Sequence, residues 1–398
     1  MKETTEHYNQ KTSSTAALIV GSLALFSDNL VVGLAVPVLP VLPSVVETGA
    51  ARTGILFASY SISVVLAAVF AGKFVDKYGP KTPLLIGLVG LAVATLLFAT
   101  GGPYILLLIA RTAQGISGGM SWVAALSLIA ATTDFDKRGQ QMGIAISTIT
   151  LGVLIGPPLA GFMVEHWGTS SPFLLAAAIT AFDGVLRVLL VKGSPRVTDD
   201  VAGPTTVLRV PGSVSILLTI VVGAAAMAGV EPILALHLGA SAFVIGLLFG
   251  LAAITGIIAN PIVGSLVTKV SPKIFIGAGV IAVITGLLTI GFAEHSVLQS
   301  AIGMFLLGLS SAFLHAPATV LISEQGFRAT PPTLGGSFSL YTLAYAGGLA
   351  IGPLLTGFAV QRIGFQIALV ITAVILGAIG GGSLFYLPRL AHSDGQKY

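Results

Sequence analysis

Asp28, Arg111, Asp183, Arg187, Glu231 and His315 each lie inside a long run of apolar residues. Such runs suit the interior of a bilayer, where an ionised side chain costs at least about 2.5–3.5 kcal/mol. Each of these residues therefore has to face protein or water, and each is a candidate for chemistry. Asp28 can bind a proton or a cationic group in turn, because either one neutralises it. Glu231, followed directly by Pro232, offers a second such carboxylate near a helix end loosened by the proline. Arg111 cannot lose its charge. It reads either as a fixed cation that favours ionisation of nearby acids or as a buried counter-ion locking its helix to neighbours. Asp183 and Arg187 are four residues apart, share one helix face, and read as a structural intrahelical pair. His315 has an imidazole suited to proton traffic, with hydrogen-bonded packing as the plainer alternative.

The elements that must position these groups follow from composition. Of 398 residues, 55% are apolar and only 9% charged, against roughly 25% charged in soluble domains. A surface with so little charge has to be solvated by lipid. A span needs about 20 mainly apolar residues. The runs Ala16–Leu42, Gly54–Phe74, Pro83–Ala99, Pro103–Ala131, Met142–Val164 and Pro172–Val191 meet that requirement. So do Val214–Leu238, Ala242–Val267, Ile274–Phe292, Val297–Ile322, Leu334–Val360 and Phe365–Leu387. The fold class expected is an all-α membrane protein of about twelve transmembrane helices. The polar, proline-bearing stretch 193–212 divides it into six-helix bundles over 16–192 and 213–388, with tails 1–15 and 389–398.

Basic residues gather on one side of these spans. With both termini inside, only Arg52 and Arg362 of the nineteen Lys and Arg fall in outside loops, and Arg111 and Arg187 lie within spans. The positive-inside rule then sets a multi-pass topology in a cell membrane with cytoplasmic termini. The polar start of the chain leads into an apolar run too long for a signal peptide, so that run reads as the first span. The net charge of +4 is dispersed and does not suggest nucleic-acid binding. There is no cysteine, hence no disulfide or thiol chemistry. Neither a Walker-type phosphate loop nor metal-ligand spacing occurs. No cofactor is expected, the proton gradient is the expected energy source, and an enzyme is not.

The halves repeat. Span five carries Gly152, Gly156, Pro157 and Gly161, and span eleven carries Gly348, Gly352, Pro353 and Gly357 at the same spacing. Parallel repeats of this kind place a substrate site at the repeat interface near the bilayer midplane. The small residues and prolines read as packing and bending elements of the helices. The segment 72–81 holds Gly72, Asp76, Lys77, Gly79 and Lys81, and the matching loop of the second half has Thr268 and Lys269 but lacks the acid. A gate formed there should therefore be asymmetric. Trp122, Phe26, Phe57, Tyr60, Tyr341 and Tyr345 could line an apolar cavity and stack on a lipophilic cation, or simply pack.

At these motifs the chain resembles the major facilitator superfamily, and specifically its twelve-helix drug:proton antiporters. The resemblance rests on the 72–81 loop, on Arg111, Gln114, Gly115 and Gly118 in span four, on the Gly-Pro segment of span five, and on Asp28, Asn29, Gly33, Pro37 and Pro40 in span one. Asp28 with Asn29, and Met227 to Pro232 around Glu231, are similar to the vesicular monoamine transporter branch. The acids which that branch places in helices ten and eleven are missing here. Ala312, Phe313, His315, Tyr341, Thr342 and Tyr345 occupy those stretches. The resemblance implies a proton-coupled antiporter, working as a monomer, that exports small lipophilic, cationic compounds or drugs by alternating access. It implies proton or substrate binding by Asp28, Asn29, Arg111, Gln114 and Glu231, and gating by the 72–81 loop; His315, Tyr341 and Tyr345, where the chain departs from the branch, are further candidates for that site on their own chemistry. A proton symporter or facilitator importing a metabolite is the same-class alternative. A membrane-embedded enzyme or a channel is the distant one.

The lack of native cysteine makes topology directly testable. In intact cells an impermeant maleimide added outside should label Glu294→Cys and leave Lys269→Cys unlabelled until the membrane is permeabilised. Labelling of Lys269→Cys in sealed cells would reverse the orientation.

Overall fold

The computed structural model describes residues 13–38, 42–46, 49–191, 203–238 and 242–388. Residues 1–12 of the expected N-terminal tail, the expected C-terminal tail and half of the expected linker (193–202) lie outside the described residues. Among those described, twelve helices are long and apolar enough to cross a membrane, as the composition requires. They are α1 (Ser14–Val38), α2 (Gly49–Tyr78), α3 (Lys81–Ala99), α4 (Tyr104–Thr132), α5 (Phe135–Trp167) and α6 (Ser171–Leu190), followed by α7 (Ser213–Leu238), α8 (Ala242–Val267), α9 (Pro272–Gly291), α10 (Val297–Arg328), α11 (Leu334–Ile363) and α12 (Phe365–Tyr386). Short helical turns at Pro43–Val46 and Pro204–Leu208 accompany them. Helices form because hydrocarbon offers no partner for backbone N–H and C=O groups, so each segment must satisfy its own.

The helices sort into two compact units. Unit 1 gathers the chain up to Asp134, Thr148–Thr206 and Thr330–Thr342. Unit 2 gathers Phe135–Ser147, Val207–Ala329 and the chain from Leu343 onward. The two share one packing scheme. In unit 1, α4 packs on α1, α2 and α3, and α6 packs on α1 and α3. In unit 2, α10 packs on α7, α8 and α9, and α12 packs on α7 and α9. The repeat seen in the Gly-Pro segments thus extends to the order in which whole helices meet.

Leu30, Leu34, Leu56, Leu91, Phe98, Leu107 and Phe173 build the apolar core of unit 1. Phe98 and Phe173 stack there with ring centroids 5.4 Å apart. Large apolar side chains such as Phe70, Phe182, Leu298, Leu354 and Phe385 point outward and are exposed. In a water-soluble protein so much exposed apolar surface would be a liability; here it meets lipid.

Small residues set how closely helices approach. In unit 1 a Cβ on Gly156 would lie 2.7 Å from the Cα of Gly33, and one on Gly152 would lie 2.7 Å from the Phe26 carbonyl. In unit 2 a Cβ on Gly352 would strike the Ala225 carbonyl oxygen and sit 3.0 Å from Gly229 N. The adjacent Thr356 hydroxyl donates to the Gly229 carbonyl at 2.6 Å. The packing role expected of Gly152, Gly156 and Gly352 has a geometric basis, and Pro157 and Pro353 lie inside their helices beside these contacts. Gly161 departs from the expectation: a Cβ there would meet nothing within 4 Å, because the residue has turned off the contact face. The proline in α8 shows how a freed carbonyl is dealt with. Pro261 removes the donor for Ile257, and the Ser147 hydroxyl of α5 donates to that oxygen at 2.9 Å.

These contacts predict that Gly352→Leu loses about 1–3 kcal/mol through overpacking, read as a lower thermal midpoint in detergent. Gly161→Leu, one of the same motif set, should be neutral. Equal losses at both positions would contradict the packing geometry.

Candidate functional site

Each unit holds its own group of polar side chains inside the apolar layers. In unit 1, Asp28 projects from α1 and is buried. Neither of its carboxylate oxygens has a hydrogen-bond partner among the described residues. The Ser121 hydroxyl of α4 faces it without closing a well-formed hydrogen bond. Asp183 and Arg187 of α6 act on it through their charges. That pair is itself buried and is joined Nη2 to Oδ2. Ser27, next to Asp28 on α1, donates to Asp183 Oδ2 at 3.1 Å, and Arg187 donates to the Leu84 carbonyl of α3 at 2.6 Å. One helical face of α6 thus reaches two neighbouring helices.

Arg111 contacts a neighbouring helix, as its reading as a buried, helix-locking cation expects. It is buried on α4, with its guanidinium over the Tyr60 ring at 4.6 Å and a hydrogen bond to Gln114 Oε1 at 2.5 Å. Arg187 is a cation that acts on Asp28. The sequence hides this because partner choice depends on how α6 is rotated against α1. Asn29 lies beside Asp28 but turns back on its own helix, its Nδ2 donating to the Leu25 carbonyl at 2.7 Å.

In unit 2, His315 is buried on α10. Its Nδ1 lies 3.1 Å from the Ser311 hydroxyl, and its ring meets the Tyr345 ring of α11 edge-on at 5.3 Å. Gly223 of α7 leaves the space it fills: a Cβ there would sit 2.9 Å from His315 Cε1. Glu231 of α7 is exposed and lies within electrostatic reach of Tyr345. Tyr345 therefore links His315 to the Glu231 side of the unit. Tyr341, one turn earlier on α11, is buried and belongs to unit 1. The sequence grouped the two tyrosines, and the structure divides them.

The Major Facilitator Superfamily profile matches residues 21–230 and again 212–397. The chain belongs to the major facilitator superfamily. Its similarity within the superfamily is to the vesicular amine transporter branch. The chromaffin granule amine transporter of Rattus norvegicus is 31% identical over 334 residues, which are 81% of this chain and 63% of that protein. The synaptic vesicular amine transporter of Mus musculus is 28% identical, covering 81% of this chain and 64% of that protein. The chain spans less than two thirds of the length of these relatives. Among solved structures, the human organic anion transporter MFSD10 (TETRAN) shares the fold, with a TM-score of 0.81 at 18% identity over 93% of this chain and 99% of that one.

The superfamily's loop signature meets a helix end in unit 1. Asp76 is buried at the end of α2. It accepts a hydrogen bond from the Thr333 hydroxyl and another from the Gly335 N–H at 3.1 Å. Thr333 in turn accepts from the Gly336 N–H at 2.7 Å. Asp76 and Thr333 together cap the start of α11, where unpaired N–H groups and the positive end of the helix dipole favour an anion. Gly72, one turn earlier, lies so close to Gly335 that a Cβ on either would strike the other's backbone. Gly79 takes φ +74° in the turn between α2 and α3, a region that side chains resist. Lys81 opens α3, and the Lys77 ammonium sits 5.1 Å from the Tyr78 ring.

Unit 2 makes its counterpart with other chemistry, as the missing acid implied. Gly139 of α5 and Gly264 of α8 make the backbone approach. Arg138 pairs with Glu324 of α10 and lies over the Phe327 ring at 4.8 Å. Sequence reasoning counted Arg138 only among the inside basic residues and passed over Glu324. The pair joins positions far apart in the chain, and its one sequence signal is an acid placed beyond an apolar run. At the other end of α7, His237 stacks on Phe365 at 3.6 Å, and its carbonyl lies 3.0 Å from His295 Nδ1.

A double-mutant cycle tests the Arg138–Glu324 pair. Each single alanine change strands a partly buried charge. The double variant should be less destabilised than the sum of the singles, with coupling of about 1–3 kcal/mol in detergent melts. Additive losses would mean that the pair holds nothing.

Proposed function

We propose that this chain is a proton-coupled antiporter that moves small, lipophilic, cationic organic compounds out of the cell by alternating access, as a monomer in the cell membrane with cytoplasmic termini. One observation carries the reading: a buried carboxylate, Asp28, whose two oxygens have no hydrogen-bond partner among the described residues. A carboxylate in that position is costly when charged and bare, so it has to be protonated or matched by a cation. A proton and a cationic substrate are then alternatives for one site, and alternation between them exchanges one for the other. The names of the relatives support the choice of cargo, since they are amine transporters and an alkyl amine is a cation at neutral pH.

The remaining groups take supporting roles in this reading. Arg111, held by Tyr60 and Gln114, keeps a fixed positive charge in unit 1. Asn29 adds an amide beside Asp28. Glu231, with Tyr345 and His315, supplies a second acidic region in unit 2, where the branch's further acids are replaced. Asp76 on the start of α11 and Arg138 on Glu324 act as two seals at the basic ends of the helices. Gly72 and Gly79 allow the first seal to form, and Lys77 and Lys81 anchor it to the inner surface.

The test is flux in proteoliposomes with an imposed pH gradient and a labelled lipophilic aromatic amine. The wild type should accumulate the amine only when the gradient is present. Asp28→Asn should lower gradient-driven accumulation at least about tenfold, the equivalent of one pKa unit of differential binding. Gradient-driven accumulation preserved in Asp28→Asn would end the coupling scheme, and flux of the amine in the same direction as the protons would replace antiport with symport.

A further inference from the structure

We propose that Arg187 is the resident counter-ion of Asp28, held in common with Asp183, so that the proton is taken up by a three-residue group and not by a lone carboxylate. The inference rests on the proton-exchange reading of Asp28 and adds a positioning residue to it. Its first support is adjacency. Ser27 and Asp28 follow one another on α1, and the Ser27 hydroxyl already reaches Asp183 Oδ2 at 3.1 Å. The α6 pair is therefore seated against the segment of α1 that carries the acid.

The second support is an unfilled set of polar atoms. Arg187 uses one terminal nitrogen on Asp183 and the other on the Leu84 carbonyl at 2.6 Å. Its Nε–H is buried and has no partner among the described residues. Asp183 Oδ1 and both oxygens of Asp28 are in the same condition. Buried polar groups are normally satisfied, and here one donor and several acceptors stand over within a single group of side chains. An arrangement with a single fixed state would pair them. Atoms left over suit a group that changes partners.

The third support is charge. Two carboxylates and one guanidinium carry a net charge of −1 when both acids are ionised, and none when one proton is present. With Asp28 protonated, Arg187 rests on Asp183 and the group is neutral. When the proton leaves Asp28 for water, the Nε–H of Arg187 can receive the new carboxylate, and the remaining charge is met by the cationic cargo. Tyr60 of α2 lies within electrostatic reach of Asp28, and the other charged groups on neighbouring helices are engaged elsewhere or stand at helix ends. Arg111 of α4 is turned to Tyr60 of α2 and to Gln114. On α3 the ionisable residue is Lys81, at its first position. On α5 they are Asp136, Lys137 and Arg138 at the start, and Glu165 and His166 at the end.

The experiment follows the carbonyl stretching band of a protonated carboxylic acid by infrared difference spectroscopy on the purified full-length chain, titrated with pH. It needs no substrate. Asp28→Asn identifies the Asp28 band by removing it. In Asp183→Asn, Arg187 keeps Asp28 as its sole carboxylate, and the midpoint of the Asp28 band should fall by at least about one pH unit, the shift expected of an acid beside an arginine. In Arg187→Gln the midpoint should rise. Arg187→Lys keeps the charge but replaces the fork that presents Nε–H. It carries the test if the other variants do not fold: a midpoint moved by at least about half a unit supports the proposal, and an unmoved one overturns it. A band removed by Asp28→Asn yet unmoved by Asp183→Asn also overturns this inference while leaving the exchange reading intact. The absence of any band sensitive to Asp28→Asn would overturn both.

Discussion

A charge removed from water has to be matched, and this single constraint decides where ionisable residues can stand in a chain that is 9% charged. Unit 1 meets it in three ways. Arg187 is matched by Asp183 and a backbone carbonyl. Arg111 is matched by the face of an aromatic ring and an amide oxygen. Asp76 is matched by the exposed N–H groups at the start of a helix. Asp28 stands apart because neither of its oxygens has a hydrogen-bond partner among the described residues. Its role in exchange, as proposed above, follows from that difference and not merely from its presence in a span.

Helix packing supplies the frame that makes such matching possible. Glycine against glycine lets backbones come together without side chains between them, so the polar groups on the adjoining faces are brought within hydrogen-bond reach. Gly72 beside Gly335 puts Asp76 onto the start of α11. Gly139 beside Gly264 sits next to the Arg138–Glu324 pair in the same way. Gly223 opens the space that His315 occupies against α7. In each case a residue with no chemistry of its own determines where the chemistry is held.

The spans, the family and the Asp183–Arg187 pair were legible from the sequence, because hydropathy, motif spacing and an (i, i+4) offset are local signals. Partner identity across helices was not. That Arg187 of α6 acts on Asp28 depends on the rotation of α6 about its axis, and no local pattern records it. Span ends were also read short. Apolar runs closing at Phe74 and Ile322 belong to helices that continue to Tyr78 and Arg328. Hydropathy falls where polar residues begin, but the backbone stays helical through them. Those overhanging turns carry Asp76, which the 72–81 motif had already singled out, and Glu324, which no motif marked.

The Asp76 contact of unit 1 and the Arg138–Glu324 contact of unit 2 are built from forces with different reach in electrolyte. Asp76 is buried and bound to backbone N–H groups, so mobile ions have little access to it. The side chains of Arg138 and Glu324 are 10% and 16% exposed, and counter-ions can compete for such a pair within a Debye length of about 8 Å at physiological ionic strength. Rising salt would loosen the Arg138–Glu324 contact while sparing the one at Asp76. The repeat that makes the units alike in packing therefore leaves these two contacts unlike in their sensitivity to ionic strength.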